Sequence, residues 1–139
     1  MKSKILIVTS NYYEKISKGL LKGAIGELNK KNILYDSINV PGTFEISLAI
    51  KHHINKGNYN GYIALGCIIK GETYHFEILS NECIRSLNSL SIDNNKPIGF
   101  GIITCNNIKQ AEERSNGIKN KGKEAALACI DMINILNNG

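Results

Sequence analysis

The sequence predicts an α/β protein in which helices cover both faces of a four-stranded parallel sheet. Three observations carry that reading. Short apolar runs rich in β-branched residues alternate along the whole chain with longer stretches whose apolar residues recur at helical spacing. Every pair of successive strand candidates is separated by a helix candidate, and a helical crossover returns the chain to make the next strand parallel. Two of the strand candidates, KILIVT and YIALGCII, are apolar almost throughout, as strands covered on both faces must be.

The elements follow in order. Lys4–Thr9 is the first strand. Tyr13–Lys30 is a helix whose Ile16, Leu20, Leu21, Ala24, Ile25 and Leu28 fall on one face, and Asn29–Asn32 breaks it. Ile33–Val40 (ILYDSINV) is the second strand, stopped by Pro41–Gly42 because proline cannot donate to a ladder. Phe44–Lys56 is an amphipathic helix, with His52 and His53 read as surface residues, and Gly57–Gly61 is a turn. Tyr62–Ile69 is the third strand and Gly71–Tyr74 a polar loop. His75–Leu90 is the third helix, with Ile78, Leu79, Cys83, Ile84 and Leu87 on one face; Asp93–Lys96 turns the chain into a fourth strand, Pro97–Thr104. Asn106 or Asn107 caps a short helix through Arg114. Ser115–Lys121 is a small polar break, and Gly122–Leu136 a final helix.

The size and composition bound the remaining possibilities. A chain of 139 residues is expected to form one domain over 1–139, and 42% hydrophobic residues suffice for a core without staples. The four cysteines, Cys67, Cys83, Cys105 and Cys129, include no CxxC pair, so they are read as buried thiols of a reducing compartment rather than metal ligands. The apolar run Ile5–Val8 is too short for a signal-peptide core, and no stretch has the length of a membrane span. A soluble cytoplasmic protein is expected. The net charge of +5 would suit nucleic acid, but lysines are interspersed with acids and no basic–aromatic interleaving offers a platform for bases.

In a sheet of this kind ligands bind beyond the carboxyl ends of the strands. That rule selects Ser10–Tyr13, Pro41–Glu45, Lys70–His75 and Thr104–Asn107. Neither GxGxxG nor GxxxxGK[ST] occurs at the first strand end. Tyr12 there is either a stacking face for a flat ring or a packing residue. After the second strand, Thr43 and Glu45 open a helix, where Glu45 either complements the helix dipole or meets a ligand. After the third, Lys70-Gly71-Glu72-Thr73-Tyr74-His75 joins a cation, a glycine and a hydroxyl to a histidine. Amides near Gly71–Thr73 could cradle a phosphate, and His75 could serve as a proton shuttle, histidine being the side chain suited to that work near neutral pH. Phe100 lies inside the fourth strand, and Gln110–Gly122 adds Arg114, Lys119 and Lys121; arginine is the preferred bidentate partner of phosphate, though such charge runs are commonly solvated faces.

Taken together, these pieces resemble the 6,7-dimethyl-8-ribityllumazine synthase family of riboflavin biosynthesis. The matching segments are Val40-Pro41-Gly42-Thr43-Phe44-Glu45-Ile46, Ala64 through Phe76, Phe100-Gly101-Ile102-Ile103-Thr104, Gln110-Ala111 with Glu113-Arg114, and Asn120-Lys121-Gly122 with Glu124-Ala125-Ala126. Their order and spacing match over nearly the whole chain. The resemblance implies a three-layer, flavodoxin-like αβα sandwich and a transferase. Such an enzyme condenses 5-amino-6-(D-ribitylamino)uracil with 3,4-dihydroxy-2-butanone 4-phosphate, releasing phosphate and water, with no metal and no redox cofactor. It implies Tyr12 stacked on the pyrimidine, and Thr43, Phe44 and Glu45 lining ring and ribityl chain. Cys67, Ile68 and Ile69 line the same site, Gly71, Glu72 and Thr73 form the phosphate loop, and His75 is the catalytic proton shuttle. Phe100 reaches a neighbour's site, Arg114 binds phosphate, and Lys121 stands nearby. It further implies a homo-oligomer, a pentamer or else a larger shell, with sites at subunit interfaces and no nucleic-acid or membrane partner.

Three positions depart from the family pattern. Asn11-Tyr12-Tyr13 stands where Arg-Phe-Asn is commoner, Lys70 replaces an arginine, and Ser115–Lys121 is one residue shorter. These departures motivate a second reading, a binding or shell protein that keeps the fold without the activity. A nucleic-acid binder is a third, motivated by charge alone.

Overall fold

In the computed structural model, which describes residues 3–71 and 75–138, strand and helix alternate as the sequence predicts. The strands are β1 (Lys4–Ser10), β2 (Leu34–Val40), β3 (Gly61–Ile69) and β4 (Ile98–Cys105). The helices are α1 (Glu14–Lys30), α2 (Ile46–Lys56), α3 (His75–Asn94), α4 (Ile108–Arg114) and α5 (Lys121–Asn138), with single 3-10 turns at Thr43–Glu45 and Gly117–Lys119.

All strand pairs are parallel, in the order β2-β1-β3-β4. This is the flavodoxin-like order. The chain leaves β1 toward β2 on one side and returns to place β3 on the other. The point where the winding reverses therefore lies between the carboxyl ends of β1 and β3, where a crevice opens in sheets of this type.

The period of two along each strand divides the core into two layers. Ile5 and Ile7 of β1, with Ile63, Leu65 and Cys67 of β3, face α1, α4 and α5. Leu6 and Val8, with Tyr62, Ala64 and Ile68, face α2 and α3. Both strands are buried nearly throughout, each large apolar side chain contributing on the order of 2 kcal/mol through its removal from water. The edge strand β2 has no fully buried residue. All four cysteines are free and buried, as expected.

Glycines decide how closely α5 can approach. A Cβ at Gly99 would lie 2.1 Å from the Ala125 carbonyl oxygen, so β4 accepts α5 only because no side chain stands there. A Cβ at Gly122 would meet the Leu20 carbonyl oxygen at 2.0 Å, which brings the start of α5 against α1. Between these elements sits Asn120, 5% exposed. Its Nδ2 donates to the Gly19 and Ser115 carbonyls, both at 2.9 Å, while Gly122 N and Lys123 N donate to its Oδ1 at 2.8 and 3.2 Å. The segment expected to be a polar break is exposed from Asn116 to Lys119, but Asn120 at its end is buried, where it caps α5 and ties it to α1.

Other differences from the sequence reading have local causes. After Pro41–Gly42 the Glu45 amide donates to the Gly42 carbonyl, so a 3-10 turn forms first and α2 starts at Ile46 rather than Phe44. Helix α3 runs past Leu90 to Asn94 and ends at Asn95, which adopts a left-handed φ of 51°. Asn107, not Asn106, caps α4, its side chain accepting from Gln110 N. His53 is half-buried rather than a surface residue. Its ring packs edge-on to Tyr59 at 5.8 Å, and burial first, then the neighbouring His52 and Lys56, lowers its pKa.

Candidate functional site

A cavity of about 450 Å³ opens at the reversal point between β1 and β3. Its walls come from strand ends that are far apart in sequence. β1 delivers Ser10, Tyr12 and Tyr13; the turn after β2 delivers Pro41 through Glu45; β3 delivers Cys67, Ile68 and Ile69; α3 delivers His75 and Leu79. Parallel strands end on the same side of the sheet, so topology alone brings these segments together.

Tyr12 is 74% exposed and Phe44 69%, so two aromatic faces stand open at the cavity mouth. Tyr12 is held edge-on against Tyr13, with ring centroids 5.0 Å apart. Burial, then Cys67 and Tyr12 beside it, raises the Tyr13 pKa, which keeps its phenol protonated. Glu45 is exposed at the rim and makes no side-chain cap of α2, which leaves its carboxylate to the cavity. Thr43 is buried, with the Cys83 thiol beside it. The turn that carries it rests on β3 because Gly66 has no side chain: a Cβ there would meet Thr43 Cγ2 at 2.8 Å and Ser10 Cβ at 3.2 Å.

Cys67 is not a nucleophile in this setting. Burial pushes its thiol up to about 12, with Cys105 adding to the effect, so it stays neutral at physiological pH. Its contribution to the cavity is an apolar wall. His75, the first residue of α3, is exposed and is the imidazole that lines the cavity. Gly71 is exposed on the preceding loop. The expected phosphate-loop residues Glu72 and Thr73 lie outside the described residues.

The remaining expected residues are elsewhere. Phe100, Arg114 and Lys121 line a second cavity of about 410 Å³ along the edge strand β4, with Thr104 beside them. Arg114 ends α4, and its Nη1 donates to Cys105 Sγ at 3.6 Å. Lys121 begins α5 and pairs with Glu124 at 2.7 Å. One chain thus separates the two halves of the expected site. The open aromatic faces and the histidine stand at one cavity, and the two cations at the other.

Ser10, Tyr13 and Leu79 line the first cavity without having been singled out. Ser10 and Tyr13 flank Tyr12 in the selected strand-end segment, which was the available signal; Leu79 looked like any other apolar helix residue. Among the described residues no three His, Cys, Asp or Glu side chains gather where a metal ion could be held. No described helix is long and apolar enough to cross a membrane.

Comparisons with known proteins agree with one another. A family model described as 6,7-dimethyl-8-ribityllumazine synthase matches residues 2–137. A protein of that name from Bartonella tribocorum is 50% identical over 134 residues, covering 95% of this chain and 89% of the relative. One from Buchnera aphidicola subsp. Baizongia pistaciae is 46% identical over 143 residues, covering 98% and 89%. One from Afipia carboxidovorans is 42% identical over 139 residues, covering 96% and 85%.

Proposed function

The chain belongs to the 6,7-dimethyl-8-ribityllumazine synthase family, and on that premise we propose that it is the transferase that makes the lumazine precursor of riboflavin. Its substrates are 5-amino-6-(D-ribitylamino)uracil and 3,4-dihydroxy-2-butanone 4-phosphate. The observation that carries this reading is the cavity at the β1–β3 reversal. Tyr12, Phe44, Glu45 and His75 converge there although they come from three different strand-end segments.

Each group has a role that suits its setting. The open faces of Tyr12 and Phe44 hold the flat pyrimidine. Glu45 accepts hydrogen bonds from ring or ribityl donors, while Thr43, Cys67, Ile68 and Ile69 shape the wall. The 5-amino nitrogen attacks the ketone carbon and water leaves to give an imine. A proton then leaves C3 as phosphate leaves C4, the resulting enol becomes a ketone, and the ribityl-bearing nitrogen attacks that carbonyl and closes the ring as a second water leaves. His75 moves protons between these steps. Arg114 and Lys121 hold the phosphate, with Gly71, Glu72 and Thr73 on its other side. Bringing two reactants together in one orientation supplies much of the acceleration, and the chain's own residues suffice for that.

The split between the two cavities suits a site completed by a neighbouring copy. In that arrangement Phe100, Arg114 and Lys121 of one subunit meet the His75 cavity of the next. We take the protein to be a single domain assembled as a homo-oligomer, a pentamer, acting in the cytoplasm without metal, redox cofactor, nucleic acid or membrane. The test is direct. The purified protein is mixed with both substrates, and lumazine fluorescence is followed against a protein-free blank. Acceleration that is lost in Arg114→Ala supports the reading. Binding of the pyrimidine without acceleration would instead make this a binding or shell protein of the same fold.

A further inference from the structure

Ser10 is the last residue of β1 and lines the cavity at the β1–β3 reversal. It is 1% exposed, and its hydroxyl has no hydrogen-bond partner among the described residues. A buried hydroxyl without a partner is costly, and most buried polar atoms are paired. Nothing in the packing requires the oxygen. The Ser10 carbonyl, not the hydroxyl, accepts the short hydrogen bond from Ser17 Oγ that ties β1 to α1. The Ser10 Cβ lies against the bare backbone of Gly66, beside the Thr43 methyl, and alanine would fill that space equally well.

Its surroundings offer little else. The Thr43 side chain lies beside the Cys83 thiol, and Cys67, Ile68 and Leu79 present apolar or neutral walls. Among the described residues of the cavity, Ser10 is therefore a buried polar side chain whose hydrogen-bonding capacity is unspent, whereas Glu45 stands at the rim. A serine hydroxyl turns among three staggered positions at small cost, so a bound molecule can recruit it without moving the backbone.

We propose that Ser10 is a further substrate-binding residue, its hydroxyl making a hydrogen bond with a neutral polar atom, a ring carbonyl or a chain hydroxyl, of the pyrimidine substrate. This rests on the proposed lumazine synthase activity and adds to it a contact that sets affinity for one of the two substrates. The unsatisfied hydroxyl is a cost carried by the free protein that binding removes. Replacing it therefore has opposite consequences for the free and bound states, which no purely structural residue would show.

The experiment compares wild type with Ser10→Ala. Steady-state kinetics are measured with each substrate varied in turn, and the melting temperature is measured without ligand. The KM for 5-amino-6-(D-ribitylamino)uracil is expected to rise about three- to tenfold, the range for one lost hydrogen bond. The KM for the butanone phosphate is expected to stay unchanged, and the ligand-free melting temperature to hold or rise. Ser10→Cys keeps the volume with a weaker donor, and the same KM split there separates a lost hydrogen bond from lost packing. An unchanged pyrimidine KM in an active Ser10→Ala enzyme overturns the Ser10 contact alone. A lower ligand-free melting temperature overturns it too, because the hydroxyl would then have a partner inside the protein. A wild-type protein that neither binds the ribitylaminouracil nor forms lumazine overturns both this contact and the activity on which it rests.

Discussion

Arg114 Nη1 donates to Cys105 Sγ at 3.6 Å, which joins the last turn of α4 to the end of β4. Cys105 is buried and arginine is half-buried, so the guanidinium is steered toward the second cavity by a partner that cannot move. Sulfur is a weak acceptor, so the pair orients the side chain more than it stabilises the fold. Cys105→Ala is expected to raise the KM for the butanone phosphate about twofold to threefold with little change in the pyrimidine KM. Cys105→Ser, which keeps an acceptor, should restore it. Equal KM values in wild type and Cys105→Ala would mean that the contact does not orient the arginine.

Arg114→Ala removes the charge itself. A charge-assisted contact is worth about 1.5–3 kcal/mol, so the KM for the phosphorylated ketone should rise by about ten- to a hundredfold. His75→Ala should act differently, lowering kcat on the order of a hundredfold with both KM values nearly kept. If Arg114→Ala lowered only kcat, or His75→Ala raised only KM, the two roles would be misassigned.

The separation of the two cavities makes a prediction about mixtures. Subunits carrying His75→Ala and subunits carrying Arg114→Ala should each be poorly active alone. Refolded or co-expressed together, they should regain activity, because a mixed interface can pair an intact His75 from one with an intact Arg114 from the other. Activity that never exceeds the average of the two pure variants would place both residues in one subunit's site.

Asn120 concentrates four hydrogen bonds at one buried position between α1 and α5. Asn120→Ala leaves two carbonyls and the first amides of α5 without partners, and should destabilise the protein by about 2–4 kcal/mol in denaturant unfolding. Gly23→Ala should act on the same junction, since its Cβ would lie 2.4 Å from Asn120 Oδ1. Losses below about 0.5 kcal/mol in both would show that the junction is dispensable.

At the opposite end of the sheet, Tyr59 OH donates to Asp36 Oδ2 at 2.6 Å, and Lys4 pairs with the same carboxylate at 3.0 Å. The bond to Asp36, and then burial, pushes the Tyr59 phenol up to about 12. Its folded pKa thus lies above the ordinary value of about 10, so the protonated form is favoured on folding. The stabilisation is complete below about pH 10 and is lost as pH rises toward about 12. Ultraviolet titration should show a late-ionising tyrosine that disappears in Tyr59→Phe and moves to lower pH in Asp36→Asn. A titration unchanged by Asp36→Asn would exclude the carboxylate as the cause.

Much of this was legible in the residues. Short apolar β-branched runs marked every strand and the period of 3.6 every helix, because a strand covered on both faces is apolar throughout and a helix buried on one face repeats its apolar residues with its own geometry. Tyr12, Phe44, Glu45 and His75 were legible for a related reason: parallel strands all end on one side, so strand-end segments are neighbours whatever their distance in sequence. Ser10 was hidden because its interest lies in a missing partner, which no sequence displays. Asn120 was hidden because a polar residue in a Gly- and Lys-rich link looks solvated until α1 is laid against it.

The sequence by itself determined the α/β class, the strand and helix order, and the segments from which a site could be built, since these follow from local patterns and chain topology. Only the tertiary structure decided the order β2-β1-β3-β4, and with it where the winding reverses and the cavity opens. It alone placed Phe100, Arg114 and Lys121 at a separate cavity from His75, and it alone buried Asn120 and left the Ser10 hydroxyl without a partner among the described residues. The reason is physical: such facts depend on which surfaces meet across the sheet, and those distances are set by packing between residues that the chain holds far apart.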